Sequence, residues 1–197
     1  MRNVVRKKPK TVVFIDGSNM FYLQKKLGWM FDWKKVLLFL KQENTLVKTN
    51  YYEAYEDLQL KTPFFDYLKK SKINVVTKKL KFIVEPETGM RSTKGNFDVE
   101  ITKDIIFSVL EKRPKAERVI LFSGDSDFAS LVNDIKKKFR LDFIVYAGRG
   151  NLSWELRIAA DKICYLEDLQ SEIFRKKWGL TKGSKGYRIK KSFSRRS

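Results

Sequence analysis

The sequence of 197 residues contains no histidine and only one cysteine, Cys164. The absence of histidine excludes acid–base catalysis by imidazole, and with it any histidine-paired nucleophile. A zinc site is not expected either, because protein zinc sites are built mainly from histidine and cysteine. Catalysis by this chain would therefore depend on carboxylates, on lysines and on a hard cation.

The single cysteine and the lack of long apolar runs both bear on the location of the protein. A single cysteine cannot form an intramolecular disulfide framework and suits a reducing compartment, so we expect Cys164 to be a buried structural thiol. No apolar run approaches the roughly 18 residues of a membrane span. The run at 11–15, which follows a basic start, is too short for the apolar region of a signal peptide. We expect a cytoplasmic protein with no membrane segment.

The positive charge is concentrated at the two ends of the chain. Of the 42 basic residues, five lie in 1–10 and ten in 175–197, and neither segment contains an acid, so residues 11–174 hold 27 basic groups against all 23 acids. We predict a basic N-terminal arm (1–10), one globular domain (11–174) and a basic, disordered C-terminal tail (175–197). Basic arms favour a nucleic acid as a partner, although they also serve solubility.

Short apolar runs alternating with helical patterns predict the fold. Strands are expected over 11–15, 50–56, 73–80 (extending toward 84), 119–122 and 141–147, with a further short strand at 163–165. The intervening helices are expected over 20–27, 33–41, 63–70, 96–112 and 126–139, and residues 85–95 are expected to form a mobile loop. This alternation predicts a three-layer, Rossmann-like α/β domain with a mainly parallel five-stranded sheet.

Acidic residues follow directly after two of the predicted buried strands. Asp16 ends the strand at 11–15, and Asp125 and Asp127 follow the strand at 119–122. In open α/β sheets, ligands bind outside the carboxyl ends of the strands, so these positions predict a site. The alternative is structural: Asp16 would belong to an ordinary Asp-Gly turn, and Asp125 would cap a helix whose dipole favours Asp127.

A third group of acids lies on the helix predicted over 96–112. Asp98 falls on the apolar stripe in the first turn, and Asp104 lies near the edge of that stripe. A carboxylate in line with a buried face is costly unless something pairs with it, although a first turn that protrudes beyond the core would escape that cost. Converging carboxylates without histidine or cysteine select Mg²⁺ or Mn²⁺, as one ion or two. Such an ion suits phosphodiester hydrolysis.

Four segments resemble the NYN domain, the LabA-like branch of the PIN-like nuclease superfamily. They occur in the family's order and are spread over about residues 11–170: Phe14 to Asn19, Lys94 to Asp104, Ser123 to Phe128, and Ser153 to Asp161. The resemblance implies a PIN-like fold, a Mg²⁺ or Mn²⁺ site made of acids, and cleavage of RNA.

Carried over by position, the resemblance also implies roles for individual residues. The catalytic acids would be Asp16, Asp98, Asp125 and Asp127, and the metal ligands Asp16, Asp98 and Asp125 with support from Asp104. By the same matching, Asn19 and Lys94 would contact the substrate phosphate, although Lys94 is equally compatible with a solvated loop lysine. Arg149 and Ser153 are also predicted to bind substrate, because they lie on the same predicted edge of the sheet.

Three other functions compete with this prediction. A non-catalytic RNA-binding or regulatory module would keep the same fold and acids. A haloacid-dehalogenase-like phosphatase matches Gly124-Asp125-Ser126 but needs a second aspartate where Ser18 stands. A dinucleotide enzyme is weaker still, because Gly148-Arg149-Gly150 lacks the third glycine of that motif.

Overall fold

The computed structural model describes residues 7–84, 91–111 and 115–175, with the backbone alone for 82–84 and 91–94. The strands, in chain order, are β1 (Lys10–Asp16), β2 (Thr45–Tyr55), β3 (Asn74–Lys79), β4 (Lys81–Val84), β5 (Arg91–Lys94), β6 (Arg118–Phe122), β7 (Asp142–Ala147) and β8 (Lys162–Tyr165). Six of them form one sheet in the order β3-β2-β1-β6-β7-β8, and every neighbouring pair in it is parallel. The other two, β4 and β5, pair as an antiparallel hairpin outside the sheet.

Seven helices accompany the strands in the described part of the chain. They are α1 (Gly17–Leu27), α2 (Trp33–Leu40), α3 (Leu58–Lys70), α4 (Asp98–Leu110), α5 (Ala129–Phe139), α6 (Trp154–Ala159) and α7 (Gln170–Ile173), with short 3-10 turns at Ser126–Phe128 and Leu166–Leu169. Side chains cap the starts of several helices, as the carboxylates of Asp16, Asp32 and Asp57 do. Helix α1 ends as the sequence predicts at Gly28, whose φ of 76° is left-handed and costs glycine little.

The sheet is covered by helices on both faces. Alternate residues of the central strands point to opposite sides, so Val12 and Phe14 of β1 join one core and Val13 and Ile15 join the other. Helices α4, α5 and α6 pack on the first face, and α1, α2, α3 and α7 pack on the second. The predicted three-layer α/β fold with a parallel sheet is therefore confirmed.

Three details of the prediction are wrong. The sheet has six strands and not five, because the short segment at Lys162–Tyr165 joins its edge as β8. The apolar residues up to Val84 do not extend β3; they form β4, which turns away into the hairpin. Residues Arg91–Lys94 are a strand and not loop, since hairpin pairing uses the backbone and needs no apolar pattern.

The boundaries of the predicted domain and its two tails remain a prediction. Residues 1–6 and 176–197 lie outside the described part of the chain, which includes only the inner end of each basic segment. None of the helices in the described residues has the length and apolar character needed to span a bilayer.

The strand order places a crevice at the centre of the sheet. Strand β1 lies between β2 and β6, and the chain moves outward from β1 in both directions, to β2 and β3 on one side and to β6, β7 and β8 on the other. At such a switch point the loops after the two central strands diverge and leave room for a ligand. The carboxyl ends of β1 and β6 carry Asp16 and the Ser123-Gly124-Asp125 segment, so both predicted acidic positions meet there.

Candidate active site at the carboxyl edge of the sheet

Asp16 lies at the end of β1 and is almost fully buried, with 8% of its surface exposed. One carboxylate oxygen accepts a hydrogen bond from the backbone N–H of Asn19 at 3.0 Å, which caps α1. The other accepts a hydrogen bond from the Ser123 hydroxyl at 3.3 Å. Asp16 itself therefore caps the helix, where the predicted alternative was an ordinary Asp-Gly turn, and the burial of its carboxylate goes beyond what a cap requires.

The loop after β6 brings a second carboxylate to the same edge. Asp125 is half-buried and its side chain accepts a hydrogen bond from the backbone N–H of Asp127 at 3.1 Å, which caps the 3-10 turn that leads into α5. The Asp125 N–H in turn donates to the Ser123 hydroxyl oxygen at 3.2 Å. The same hydroxyl therefore connects Asp16 to the backbone of Asp125.

The side chain of Asn19 connects the first turn of α1 to the loops after β6 and β7. Its side-chain oxygen accepts hydrogen bonds from the Gly124 backbone N–H at 3.1 Å and from the Asn151 side-chain amide at 2.7 Å. The oxygen of Asn151 accepts from the Gly148 N–H at 2.8 Å. The first turn of α1 and the loops that follow β6 and β7 are thereby held in one arrangement.

Gly124 makes this arrangement possible because it has no side chain. A Cβ at this position would overlap the backbone carbonyl of Asn151, and the Gly124 carbonyl accepts a hydrogen bond from the Ser153 N–H at 2.8 Å. The β6 and β7 loops thus approach each other backbone to backbone.

Asp98 enters from the opposite side of the crevice as the first residue of α4. It is half-buried, and one of its carboxylate oxygens accepts a hydrogen bond from the Asn96 amide. The apolar stripe of α4, with Ile101 and Ile105 fully buried, fixes the helix against the sheet and so fixes this first turn. The sequence prediction that Asp98 is in line with the buried face is confirmed.

The electrostatics show that these acids act on one another. Burial raises the pKa of Asp16 to about 6, the hydrogen bond from Asn19 lowers it, and the charges of Asp98 and Asp125 raise it further. Burial also raises the pKa of Asp98, and the charges of Asp125 and Asp127 add to the effect. Like charges that raise each other's pKa favour either protonation or a bound cation.

The donor set fits a hard cation. In the described part of the chain, no lysine or arginine forms an ion pair with Asp16, Asp98, Asp125 or Asp127, so their mutual repulsion has no salt-bridge partner to offset it. Oxygen ligands alone are the chemistry that Mg²⁺ and Mn²⁺ prefer. As their side chains stand, however, no three acids among residues 7–84, 91–111 and 115–175 form a group that could hold a metal ion.

The other predicted acids differ in position. Asp127 is exposed, but its charge reaches Asp98. Asp104 lies six residues beyond Asp98, about 9 Å along α4, and accepts a hydrogen bond from the Tyr52 hydroxyl at 2.8 Å. Lys103 lies 3.7 Å from the Asp104 carboxylate. The structure therefore gives Asp104 other partners and does not bring it to Asp16 and Asp125.

The predicted substrate-binding residues are not all brought to the site. Asn19 and Ser153 lie at the loop junction described above, and Ser153 also caps α6 by accepting from the Leu156 N–H at 3.3 Å. Arg149 is exposed and donates to Asp168 at 2.8 Å, with its guanidinium 4.4 Å from the centre of the Tyr165 ring. Lys94 belongs to β5, but its side chain lies outside the described residues.

Sequence reasoning missed Ser123, Asn151 and Glu53. Ser123 and Asn151 each make a hydrogen bond to a residue more than a hundred positions away, which no local pattern reveals. Glu53 is 7% exposed near the carboxyl end of β2, and its carboxylate lies where a Cβ on Gly17 would stand. The sequence signal available for Glu53 was an acidic residue inside a predicted strand.

Comparison with known protein families matches residues 10–167 to the NYN domain. Among characterised relatives, the chain is similar to the "Low amplitude and bright protein LabA" of Synechococcus elongatus, with 35% identity over 167 residues that span 83% of this chain and 87% of LabA.

Among solved structures, the fold is similar to that of VPA0982, a protein of unknown function from Vibrio parahaemolyticus. The two share 26% identity with a TM-score of 0.71, and the match covers 89% of this chain and 100% of that one. The arrangement of elements described above is thus found in another natural protein.

Proposed function

The chain belongs to the NYN domain family of PIN-like nucleases, and we propose that it is a metal-dependent ribonuclease that hydrolyses RNA phosphodiester bonds. The observation that carries the proposal is that Asp16, Asp98 and Asp125 lie near enough to one another at the switch point for burial and mutual repulsion to raise the pKa values of Asp16 and Asp98. A structural cap needs neither burial nor like-charged neighbours, whereas a cation site benefits from both.

In this proposal Asp16, Asp98 and Asp125 hold Mg²⁺ or Mn²⁺, which supplies Lewis-acid polarisation of the phosphodiester and activation of water. Asp104 is not included in the ligand set, because its hydrogen bond to Tyr52 gives it a structural role. Asp127, exposed beside Asp125, supports the site in this proposal through its charge, which reaches Asp98.

The remaining residues of the site position these acids. The hydroxyl of Ser123 and the N–H of Asn19 fix the two oxygens of Asp16, and the N–H of Asp127 fixes Asp125. Asn19 holds the β6 loop at its Gly124 N–H. Preorganisation of this kind reduces the reorganisation needed when charge develops during the reaction.

RNA is the proposed substrate, and the cytoplasm is the proposed location. The net charge of +19 favours a polyanion. The lone Cys164 suits a reducing compartment, where RNA is abundant.

The test is cleavage of end-labelled single-stranded and structured RNAs by wild type and by Asp125→Asn. Asparagine keeps the acceptor that caps the 3-10 turn but removes the charge. Each protein is assayed with Mg²⁺, with Mn²⁺ and with EDTA. We expect metal-dependent cleavage by wild type and a loss of roughly 100-fold or more in the variant, since even residues that only support metal ligands cost 10–100-fold.

The matched control is Asp134→Asn, which removes one exposed carboxylate from α5. It should cleave like wild type. Equal cleavage by wild type and Asp125→Asn would refute the assignment and indicate a contaminating nuclease. Retained RNA binding without cleavage by any of the proteins would instead identify a binding module.

A further inference from the structure

Two aromatic side chains stand exposed side by side on α1, just after the proposed catalytic Asp16. Tyr22 has 68% of its surface exposed and Phe21 has 38%, whereas the buried face of the helix is formed by Met20, Leu23 and Gln24. The two rings meet edge to face, with centroids 5.7 Å apart. Neither ring is needed for the core, so their exposure calls for another explanation.

Lysines from two different helices lie against these rings. The Lys25 Nζ is 4.5 Å from the centre of the Phe21 ring and 5.9 Å from that of Tyr22. The Lys61 Nζ, which comes from α3, is 5.7 Å from the Phe21 ring. The pair of Phe21 and Lys25 is an ordinary contact one turn apart, but Lys61 reaches the same ring from a separate element. The patch is therefore aromatic and positively charged.

The patch is physically connected to the acids. Lys61 donates to Glu53 at 2.9 Å, and the carboxylate of Glu53 packs against Gly17, the residue directly after Asp16. Phe21 is five residues beyond Asp16, which corresponds to about 7–8 Å along the helix axis. A strand whose phosphate lies at the acids would bring its neighbouring nucleotides to these rings.

We propose that Phe21, Tyr22 and Lys25, with Lys61 behind the Phe21 ring, form a base-stacking platform that binds an unpaired nucleotide beside the acids. An unpaired base stacks on the exposed rings, and the Lys25 ammonium contacts a flanking phosphate, whereas Lys61, paired with Glu53, fixes the Phe21 ring. Duplex RNA keeps its base faces stacked within the helix and cannot use the platform. The proposal rests on the proposed function only in assuming that the strand held here continues to the acids.

The test measures binding separately from cleavage. The full-length Asp125→Asn chain serves as the background. Its binding to a fluorescently labelled single-stranded RNA, and to an RNA hairpin whose loop is replaced by a non-nucleotide linker, is followed by anisotropy. Tyr22→Ala and Phe21→Ala remove one ring each, and Tyr22→Phe keeps a ring. The control is Phe107→Ala, which removes a ring that is 57% exposed on α4.

Alanine at position 22 or 21 should weaken single-strand binding roughly fivefold to hundredfold, the range measured for loss of one base–aromatic stack. Tyr22→Phe and Phe107→Ala should stay within about twofold of the background by the same reasoning, and hairpin binding should not change. Lys25→Gln should reduce the slope of log K against log salt by about one. Circular dichroism establishes that each variant is folded.

The proposal is overturned if Tyr22→Ala and Phe107→Ala bind alike, if single strand and hairpin are weakened equally, or if the background protein binds no single-stranded RNA. These outcomes differ from failure of the proposed function. If the wild type never cleaves RNA but Tyr22→Ala weakens binding, the proposed nuclease is refuted and the platform is supported. If the wild type cleaves RNA but Tyr22→Ala leaves binding unchanged, the platform is refuted and the proposed nuclease is supported.

Discussion

Replacing Asp16 with asparagine should stabilise the metal-free protein at neutral pH while abolishing cleavage. Asparagine retains an oxygen to accept the hydrogen bond from the Asn19 N–H, and its amide can still meet the Ser123 hydroxyl. What it removes is a buried negative charge next to Asp98 and Asp125. Asp16 is thus needed for the proposed function but lowers the stability of the metal-free fold.

The magnitude follows from the shifted pKa. The pKa of Asp16 rises from 3.8 to about 6, and each unit corresponds to roughly 1.36 kcal/mol, so ionising this carboxyl costs the folded state about 3 kcal/mol. The asparagine is not a perfect mimic of the protonated acid, so we expect a gain of roughly 1–3 kcal/mol. For a domain of this size, that corresponds to several degrees in Tm, at roughly 2–4 °C per kcal/mol.

The effect has a definite pH dependence. Between about pH 4 and pH 6 the folded state binds more protons at Asp16 than the unfolded state does, so the free energy of unfolding falls as the pH rises. The stabilisation that the folded state gains by binding the Asp16 proton more tightly is fully present below the unfolded pKa of 3.8. It is lost as the pH rises through about 6. The advantage of Asp16→Asn should therefore be absent near pH 4 and reach its full size above about pH 7.

The assay is urea and thermal unfolding of wild type, Asp16→Asn and the control Asp134→Asn in EDTA, from pH 4 to pH 8. Adding Mg²⁺ or Mn²⁺ should then raise the Tm of wild type and of the control but not that of Asp16→Asn, because binding stabilises only a protein that keeps its ligands. The reasoning is refuted if Asp16→Asn is less stable than wild type at pH 8. A stability difference that is the same at pH 4 and pH 8 would refute it as well.

Three other substitutions test the remaining features of the site. Gly124→Ala should lower the free energy of unfolding by roughly 1–3 kcal/mol in urea titrations, because its Cβ overlaps the Asn151 carbonyl. Asn19→Ala leaves the Gly124 N–H without its acceptor and should lower the cleavage rate more than it weakens RNA binding; equal losses in both would argue against a positioning role. Asp104→Asn should retain metal-induced stabilisation and cleavage, since Asp104 bonds to Tyr52 away from the other acids, and a loss of both would return it to the ligand set.

The acids that sequence reasoning located best are those whose position depends on local pattern. A short apolar run that ends in an acid marks both the strand and its carboxyl end, which is how Asp16 and Asp125 were found. Asp98 was found by the same kind of argument, because the spacing of Ile101 and Ile105 fixes its side of the helix.

The errors arose where hydrogen bonds of individual side chains decide the outcome. Asp104 also lies near the apolar stripe of α4, but the hydroxyl of Tyr52, 52 residues earlier, engages its carboxylate. Helix α3 begins at Leu58 and not at the predicted Pro63, because Asp57 caps it by accepting from the Gln59 N–H at 2.8 Å. Capping and hydroxyl contacts of this kind leave no periodic trace in the sequence.

The hydrogen bonds and close contacts that hold this site together stabilise the fold, whereas the acids that it contains destabilise it. Repulsion and burial at Asp16 cost the metal-free fold about 3 kcal/mol, which would tend to separate the β1 and β6 loops. The two hydrogen bonds accepted by Asn19 and the close backbone approach at Gly124 hold those loops together against that tendency. A cation bound by the acids would relieve the repulsion without requiring the loops to move. The contacts of Asn19 and Gly124 therefore keep the acids together before a cation binds, which is the condition for a preorganised site.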